Sequence, residues 1–339
     1  MNLEIFWYCI IIVSMICYMV LDGFDLGVGG LHLLVKKDEE RRVFLNAIGP
    51  VWDGNEVWLV IIVGGLFAGF PDVYATLISG FYVFVMGFLA ALIFRAVAIE
   101  FRSKRDSRAW RSLWDTVFSV ASIAIAFGVG VILGNLIQGI PLDEHRNFVG
   151  TVGMFFTPYS VLLGVTTVSL VLMHGAIFLV MKTEGSLQKQ LRKWASITIV
   201  VFIFFYILAT FATFLYMPHM IERMHAVPYL FVVPLLAFLA IFNVPRLMSK
   251  QKEGWAFIFS CLSIALLLTI FAVGTFPVLV RSTINPATHS MTAFNSSSSP
   301  LTLKILAIIV AIGVPMVLAY GAYIYHTFRG KVKLDHSSY

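Results

Sequence analysis

Residues 5–34 read IFWYCIIIVSMICYMVLDGFDLGVGGLHLL, and the only charged residues among them are Asp22 and Asp25. A helix needs about 20 mainly apolar residues to cross the hydrocarbon core of a bilayer, so this run is long enough to span one. The whole chain agrees: 59% of its 339 residues are hydrophobic and 12% are charged, whereas a soluble domain carries about 25% charged residues. The sequence therefore predicts an all-α integral membrane protein.

Further apolar runs of similar length follow along the chain, and together they predict about nine transmembrane helices. The predicted helices are about 5–34, 49–70, 73–95, 114–140, 158–181, 194–217, 227–245, 255–280 and 301–327. Trp and Tyr residues lie near many of their ends, as in the aromatic belts of membrane proteins. We expect a single transmembrane domain over residues 1–339. The first run lacks a basic flank and a cleavage site, so we expect it to be kept as a helix.

The basic residues alternate from one connecting segment to the next. All but four of the 24 Lys and Arg residues lie in the segments 35–48, 95–113, 182–193, 246–252 and 329–333; the others are Arg146, Arg223, Arg281 and Lys304. Because cytoplasmic loops carry an excess of Lys and Arg, this alternation predicts an N-terminus outside and a C-terminus in the cytoplasm. The net charge of +6 is thus a topology signal, and we expect no nucleic-acid partner.

Four acidic residues lie within or at the edge of the first two predicted helices. Asp22 and Asp25 share one helix face, because residues three apart are neighbours on a helix, and Asp53 and Glu56 repeat that spacing. A carboxylate at the centre of a spanning helix costs about 2.5–3.5 kcal/mol, so such acids are functional candidates. If the two helices are neighbours, all four acids share one region in the cytoplasmic half of the membrane. There they could form a proton path or lie beside a charged cofactor. The alternative is pairing with Lys or Arg, or helix capping by Asp53.

Other polar residues and glycines in the spans indicate helix packing. The two histidines with some depth, His32 and His174, could ligate a haem, but hydrogen bonds to neighbouring helices are the stronger expectation. The cysteines follow no metal or disulfide motif. Two sets of glycines lie within apolar spans: Gly23 with Gly27, and Gly128, Gly130 and Gly134. A nucleotide-binding glycine motif would follow a strand, and no strand precedes these sets. They therefore predict close packing of helices.

Four segments, in order, resemble subunit II of cytochrome bd-type quinol oxidases. They are DGFDLGVG at 22–29, IGPVWDGNEVWL at 48–59, FR at 94–95 with FRSK at 101–104, and GNLIQGIP at 134–141. The likeness extends over nearly the whole chain, and the stretch around Trp52 and Asp53 is its most specific part. The resemblance implies a fold of two four-helix bundles plus one peripheral helix.

The same resemblance implies the activity and the partners. The complex oxidises quinol and reduces oxygen to water in the bacterial cytoplasmic (inner) membrane, taking protons from the cytoplasm. Its two b-type haems, its d-type haem and the main quinol-oxidation site belong to subunit I, with which this chain pairs, and this chain binds none of the haems alone. Some members hold a structural quinone in subunit II. A small single-helix accessory subunit and membrane lipid are further candidate partners.

The resemblance also implies roles for particular residues. Asp25 and Asp53 match positions associated with proton delivery, and Trp52 adjoins the second. The predicted proton path comprises Asp22, Asp25, Asp53 and Glu56, and its predicted supporting residues are Trp52, Asn55 and Arg95. Many relatives have Gln where this chain has Glu56, so an additional acid alters the site here. Intramembrane acids also suit a proton-coupled secondary transporter or a purely structural membrane partner; a haem-rich partner that copurifies would favour the oxidase.

Overall fold

Helices account for most of the residues that the computed structural model describes, residues 2–334. In chain order they are α1 (Leu3–Leu31), α2 (Asp38–Ile48), α3 (Trp52–Gly69), α4 (Pro71–Gly80), α5 (Tyr82–Phe101), α6 (Arg108–Gln138), α7 (Pro158–Lys182), α8 (Gly185–Tyr216), α9 (His219–Ala226), α10 (Val232–Ser249), α11 (Glu253–Thr275), α12 (Pro286–His289) and α13 (Pro300–Thr327). Two short strands, β1 (Val278–Val280) and β2 (Met291–Thr292), pair in antiparallel fashion. The fold is therefore all-α apart from one small hairpin.

Within residues 2–334, eight helices are long and apolar enough to cross a membrane: α1, α5, α6, α7, α8, α10, α11 and α13. The ninth predicted span is bent, since α2 and α3 pass the same test together but meet at 49° across a short break. Pro50 lies in that break, and proline cannot donate the amide hydrogen bond that would continue the helix. The prediction of about nine spans is confirmed.

Two predicted boundaries are wrong because hydropathy does not register local breaks. The predicted helix 73–95 is interrupted at Phe81, after Gly80, and its second part continues to Phe101. Arg95, which was predicted to begin a basic connection, consequently lies inside α5 and is fully buried. The predicted helix 255–280 ends at Thr275, because Pro277 follows and the next residues form β1.

Other helices begin outside the apolar runs. The segment 35–48, predicted as a connection, contains α2, whose first turn is acidic and so favours helix formation at its N-terminus. Helix α6 begins at Arg108 rather than at 114, after the side chain of Ser107 accepts a hydrogen bond from the Trp110 amide. Helix α8 begins at Gly185 rather than at 194. Polar turns of this kind extend a helix beyond its apolar run toward the membrane–water interface, where hydropathy no longer identifies the helix.

The spanning helices pack in two groups of four. Helices α7, α8, α10 and α11 form a closed ring, and α3, α1, α6 and α5 pack in that order beside it. Helix α1 touches both groups, whereas α13 packs only lightly, against α3 and α1. This arrangement agrees with the expected two bundles and peripheral helix.

Glycines allow the closest helix approaches. A Cβ atom on Gly27 of α1 would lie 1.9 Å from the Val171 carbonyl oxygen of α7, and one on Gly175 would lie 2.5 Å from the Gly27 carbonyl carbon. A Cβ atom on Gly130 or Gly134 of α6 would likewise lie only 2.4–2.7 Å from backbone atoms of α7. The predicted packing role is confirmed for Gly27, Gly130 and Gly134. Gly23 and Gly128 make only ordinary contacts, since a Cβ atom added to either would lie at least 3.8 Å from its nearest neighbour.

The basic segments meet at one end of the molecule, called the basic end below. There Arg102 donates to Asp38 over 2.7 Å, and Arg192 pairs with Glu253. The Val332 amide near the C-terminus donates to the Lys182 carbonyl over 2.9 Å. The connections between α6 and α7 and between α11 and α13 lie at the opposite end, where Arg146 donates to the Asn295 carbonyl over 3.1 Å.

Candidate functional site

Helices α1 and α3 pack side by side and bring most of the predicted acids together. Asp22 and Asp25 lie on the face of α1 that meets α3 and α5, and both are fully buried. Glu56 of α3 reaches the same region with 24% of its side chain exposed. We call Asp22, Asp25 and Glu56, with Arg95, the acid cluster.

Arg95 is the only cation that the described structure places in ion-pair contact with the acid cluster. Its Nη1 donates to Asp22 Oδ2 over 2.9 Å, and its Nη2 donates to Asp22 Oδ1. Such a two-point arrangement fixes both side chains, because the guanidinium fork matches the carboxylate geometry. Glu56 Oε1 lies 3.6 Å from Arg95 Nη1. Arg95, predicted as a supporting residue, thus connects α5 with acidic side chains of α1 and α3.

Asp25 is held from a different direction. The side chain of Asn55 on α3 donates through Nδ2 to Asp25 Oδ2 over 2.7 Å and to the Leu21 carbonyl over 3.3 Å. The amide oxygen of Asn55 accepts a hydrogen bond of 2.9 Å from the Tyr325 hydroxyl of α13. A chain of hydrogen bonds therefore runs from the peripheral helix to a carboxyl in the acid cluster.

The cluster leaves part of its hydrogen-bonding capacity unused. Four buried atoms at this place have no hydrogen-bond partner within residues 2–334: Tyr18 Oη, Asp25 Oδ1, Glu56 Oε1 and Arg95 Nε. Buried polar atoms in proteins are almost always paired with protein or ordered water. Three carboxyl groups also face one guanidinium, so the cluster can bind protons or water without breaking a contact that it already makes.

Asp53 lies apart from the other three predicted acids. It is in the first turn of α3 and is exposed, one helical turn before Glu56, while its neighbour Trp52 is 9% exposed. The residue in the N-cap position is Val51, which has no side-chain capping bond. Asp53 instead occupies a first-turn position, where its charge favours the helix N-terminus. The four acids do not form one buried group, because the side chain of Asp53 points outward.

The two histidines in the spans make hydrogen bonds within the chain. His174 Nε2 donates to the Val20 carbonyl over 2.9 Å, and its Nδ1 lies 2.8 Å from Ser260 Oγ. His32 Nε2 lies 2.6 Å from Asp115 Oδ1, and its ring is buried against Phe118. The expected hydrogen bonds are confirmed. His32 Nδ1 is buried without a hydrogen-bond partner within residues 2–334, and the same residues contain no group of three metal-binding side chains.

A second ionic cluster, at the basic end, was not predicted from the sequence. Asp115 of α6 accepts hydrogen bonds from Arg102 Nε over 2.5 Å and from Arg41 Nη1 over 2.7 Å, besides its contact with His32. Asp38 of α2 accepts from Arg102 Nη2 over 2.7 Å. We call these five residues the Asp115 cluster. Asp115 lies at the edge of the apolar run 114–140, where an acid is common at a helix end; one helical turn deeper, the same residue would have stood out as an intramembrane charge.

A cavity of about 470 Å³ lies in the ring of α7, α8, α10 and α11, in the half away from the basic end. Its walls are mainly aliphatic and aromatic, with a few hydroxyl groups such as those of Thr167, Tyr206 and Thr210. On its lining, Tyr159 Oη lies 2.9 Å from Thr213 Oγ1. Apolar pockets of this size with a few polar groups are typical ligand sites.

The chain is similar to proteins of known kind over almost all of its length. The Bacillus subtilis (strain 168) cytochrome bd ubiquinol oxidase subunit 2 is 35% identical, over 98% of this chain and 97% of that protein. The Escherichia coli (strain K12) cytochrome bd-I ubiquinol oxidase subunit 2 is 33% identical, over 97% and 95%. The fold matches a chain of the bd oxidase from Geobacillus thermodenitrificans with a TM-score of 0.79 and 17% identity, covering 97% of this chain and 99% of that one.

The family model for cytochrome bd terminal oxidase subunit II matches residues 3–328. This match favours an oxidase subunit over the transporter that the intramembrane acids alone would also allow. The chain therefore belongs to the cytochrome bd terminal oxidase subunit II family, and it is a subunit of a terminal oxidase complex.

Proposed function

We propose that this chain supplies a proton path to a quinol-oxidising terminal oxidase complex, in which it pairs with a haem-bearing subunit I. The observation that carries the proposal is the acid cluster: three carboxyl groups, two of them fully buried, beside one guanidinium. Two relatives are named as ubiquinol oxidase subunits, which is why we assign quinol as the electron donor. Reduction of oxygen to water consumes protons, so such a complex needs a route for them.

The proposed path begins at the basic end, which we infer to be cytoplasmic because cytoplasmic segments carry an excess of Lys and Arg. Asp53 is exposed there. Glu56 lies one helical turn further along α3, and its side chain is partly exposed. Glu56 adjoins Arg95, which holds Asp22 and acts electrostatically on Asp25. Carboxyl groups held in this order can pass a proton from one to the next directly or through water. Trp52, which we expect to support the path, is buried at the α3 N-terminus beside Asp53 in the sequence.

Asp25 is the residue that tests the path most directly. Asp25→Asn keeps the shape of the side chain but removes its titration, so we expect quinol-driven oxygen consumption to fall by about 100-fold, the loss typical of a removed proton-transfer group. The measurement is oxygen uptake by the purified complex at equal haem content. Asp72→Asn, an exposed acid in the first turn of α4 at the opposite end, is the control. Undiminished turnover in Asp25→Asn would remove Asp25 from the path.

We further propose that the haems, two b-type and one d-type, reside in subunit I. The support is chemical: both ring nitrogens of His174 are used within the chain, and the His32 ring is buried against Asp115 and Phe118. We therefore expect His174→Gln to leave the haem content per complex unchanged in pyridine haemochrome spectra. Loss of one haem equivalent would contradict this assignment.

The apolar cavity suits a structural quinone, whose isoprenoid tail needs an apolar lining and whose head group needs a few hydroxyl donors. Ala209 of α8 is buried on its wall, whereas Leu208 is 40% exposed on the outer face of the same helix. Ala209→Phe should fill the cavity and lower the quinone extracted per haem, and Leu208→Phe should leave it unchanged. Equal quinone content in the two variants would contradict the assignment.

The localisation follows from the proposed activity. Quinol oxidation requires a membrane that holds quinone, so we place the complex in the bacterial cytoplasmic membrane, with the chain crossing it nine times. Fractionation should recover the chain with the quinone-containing membrane. The lightly packed α13 and the exposed apolar faces leave room for lipid and for a small single-helix accessory subunit. Purification in mild detergent, followed by mass spectrometry, tests for that subunit.

A further inference from the structure

The peripheral helix α13 reaches the acid cluster through one side chain. Most of α13 is exposed, and among its described residues only Leu303 is buried. Near its basic end, however, Tyr325 turns inward and packs against the core. Its hydroxyl donates to Asn55 Oδ1 over 2.9 Å. A hydrogen bond between an otherwise largely exposed helix and a buried amide is more than apolar packing requires.

Asn55 can serve Asp25 in only one orientation. The amide nitrogen has two hydrogens, and both are used, toward Asp25 Oδ2 at 2.7 Å and toward the Leu21 carbonyl at 3.3 Å. The amide oxygen therefore faces away from Asp25, where Tyr325 is the donor that meets it. If the amide rotated by half a turn, Asp25 would face an acceptor instead of a donor.

We propose that Tyr325 is a positioning residue for proton transfer at Asp25: by donating to Asn55 it fixes the amide so that Asp25 Oδ2 stays bound and Oδ1 stays open. Asp25 Oδ1 is buried and has no hydrogen-bond partner in the part of the chain that the structure describes, so it is the atom that binds and releases the proton. This inference rests on the proposed proton path. It adds a residue on α13 to a site built otherwise from α1, α3 and α5.

Tyr325→Phe removes the hydroxyl and keeps the ring. We expect turnover at equal haem content to fall by about 2- to 10-fold, the rate equivalent of one net hydrogen bond. We also expect the pH profile of turnover to move toward higher pH, because an ionised Asp25 loses a fixed donor. Tyr323→Phe is the matched control: Tyr323 lies on the same helix, is 67% exposed and should leave both quantities unchanged.

The other ionisable groups stay in place in this experiment. Those that act on Asp25 or Tyr325 are Asp22, Glu56, Arg95 and Cys261. A displaced pH profile in Tyr325→Phe therefore reports the lost hydroxyl. A purely structural role of Tyr325 would lower the amount of assembled complex without moving the profile.

A double-mutant cycle completes the test, because Tyr325 should act only through Asn55. We expect Asn55→Leu to lower turnover at least as far as Tyr325→Phe, and the double variant to lose no more than Asn55→Leu alone. Additive losses, or a Tyr325→Phe complex with the turnover and pH profile of Tyr323→Phe, would overturn the inference. If Asp25→Asn itself retains full turnover, the proposed path fails; if only Tyr325→Phe is silent, the path stands and the role of Tyr325 does not.

Discussion

Replacing Asp115 by Asn should destabilise the basic end more than any other conservative exchange there. Asp115 is 1% exposed and accepts bonds of 2.5–2.7 Å from Arg102, Arg41 and His32. The arginine donors come from the segment after α5 and from α2, and the histidine follows α1. One carboxylate thus holds four parts of the chain together.

The magnitude follows from the charges that remain. The Asp115 side chain makes its contacts through both oxygens, whereas Asn has only one acceptor oxygen and no charge. The side chain of Arg102 is 2% exposed and would keep only Asp38, which is partly exposed, as its anionic partner. Removing one partner of a buried ion pair costs about 3–5 kcal/mol, because the other charge stays buried. We therefore expect the folded-to-unfolded ratio to fall by about 100-fold or more.

The assay is the temperature at which the purified complex loses its native haem spectrum, supported by the yield of complex from the membrane. Asp106→Asn is the control, since Asp106 pairs with Arg111 over 2.6 Å but its side chain is fully exposed. Exposed pairs contribute little, so this variant should match the wild type. An Asp115→Asn complex as heat-stable as Asp106→Asn would refute the view that the cluster holds α2 in place.

Three further predictions concern the path, the packing and the topology. Asp53→Asn should slow quinol-driven oxygen uptake while the haems still assemble, and Asp53→Glu should retain part of the activity; turnover equal to that of Asp72→Asn would exclude Asp53. Gly27→Ala should destabilise the complex by at least about 1–3 kcal/mol, because its Cβ would lie 1.9 Å from an α7 carbonyl oxygen, whereas Gly64→Ala meets open space and should be tolerated in a thermal melt. Reporter fusions near residues 105 and 189 should read cytoplasmic and those near 145 and 290 exterior; reversal at two sites would contradict the topology.

The acids of α1 were predictable because charge is rare in an apolar run. Asp22 and Asp25 interrupt the first span, and their spacing places them on one face, as the structure has it. Arg95 was predicted as a supporting residue but was also counted with a basic connection. The predicted span ended at Arg95 because a cluster of basic residues follows it, whereas the ion pair with Asp22 allows α5 to continue six residues further, to Phe101.

Contacts between distant segments could not be predicted in the same way. Tyr325 is one of 12 tyrosines, and nothing in its local sequence distinguishes it from the exposed Tyr323. It meets Asn55 across 270 positions of sequence, so the contact depends on how α13 packs against α3. The outward position of Asp53 was likewise unpredictable, because the direction of a first-turn side chain depends on the 49° bend before it.

The acid cluster and the Asp115 cluster differ in the ratio of carboxyl to guanidinium groups. In the Asp115 cluster, the carboxylates of Asp115 and Asp38 face the guanidinium groups of Arg41 and Arg102, and both oxygens of Asp115 are bonded. A proton added to Asp115 would compete with the hydrogen bonds that both of its oxygens accept, so this cluster acts as a connection between helices. The acid cluster instead has three carboxyl groups for one guanidinium, and Asp25 Oδ1 has no partner among the described residues. Because a buried carboxyl with an open oxygen can change its protonation without disrupting native contacts, we propose the acid cluster, rather than the Asp115 cluster, as the place of proton movement.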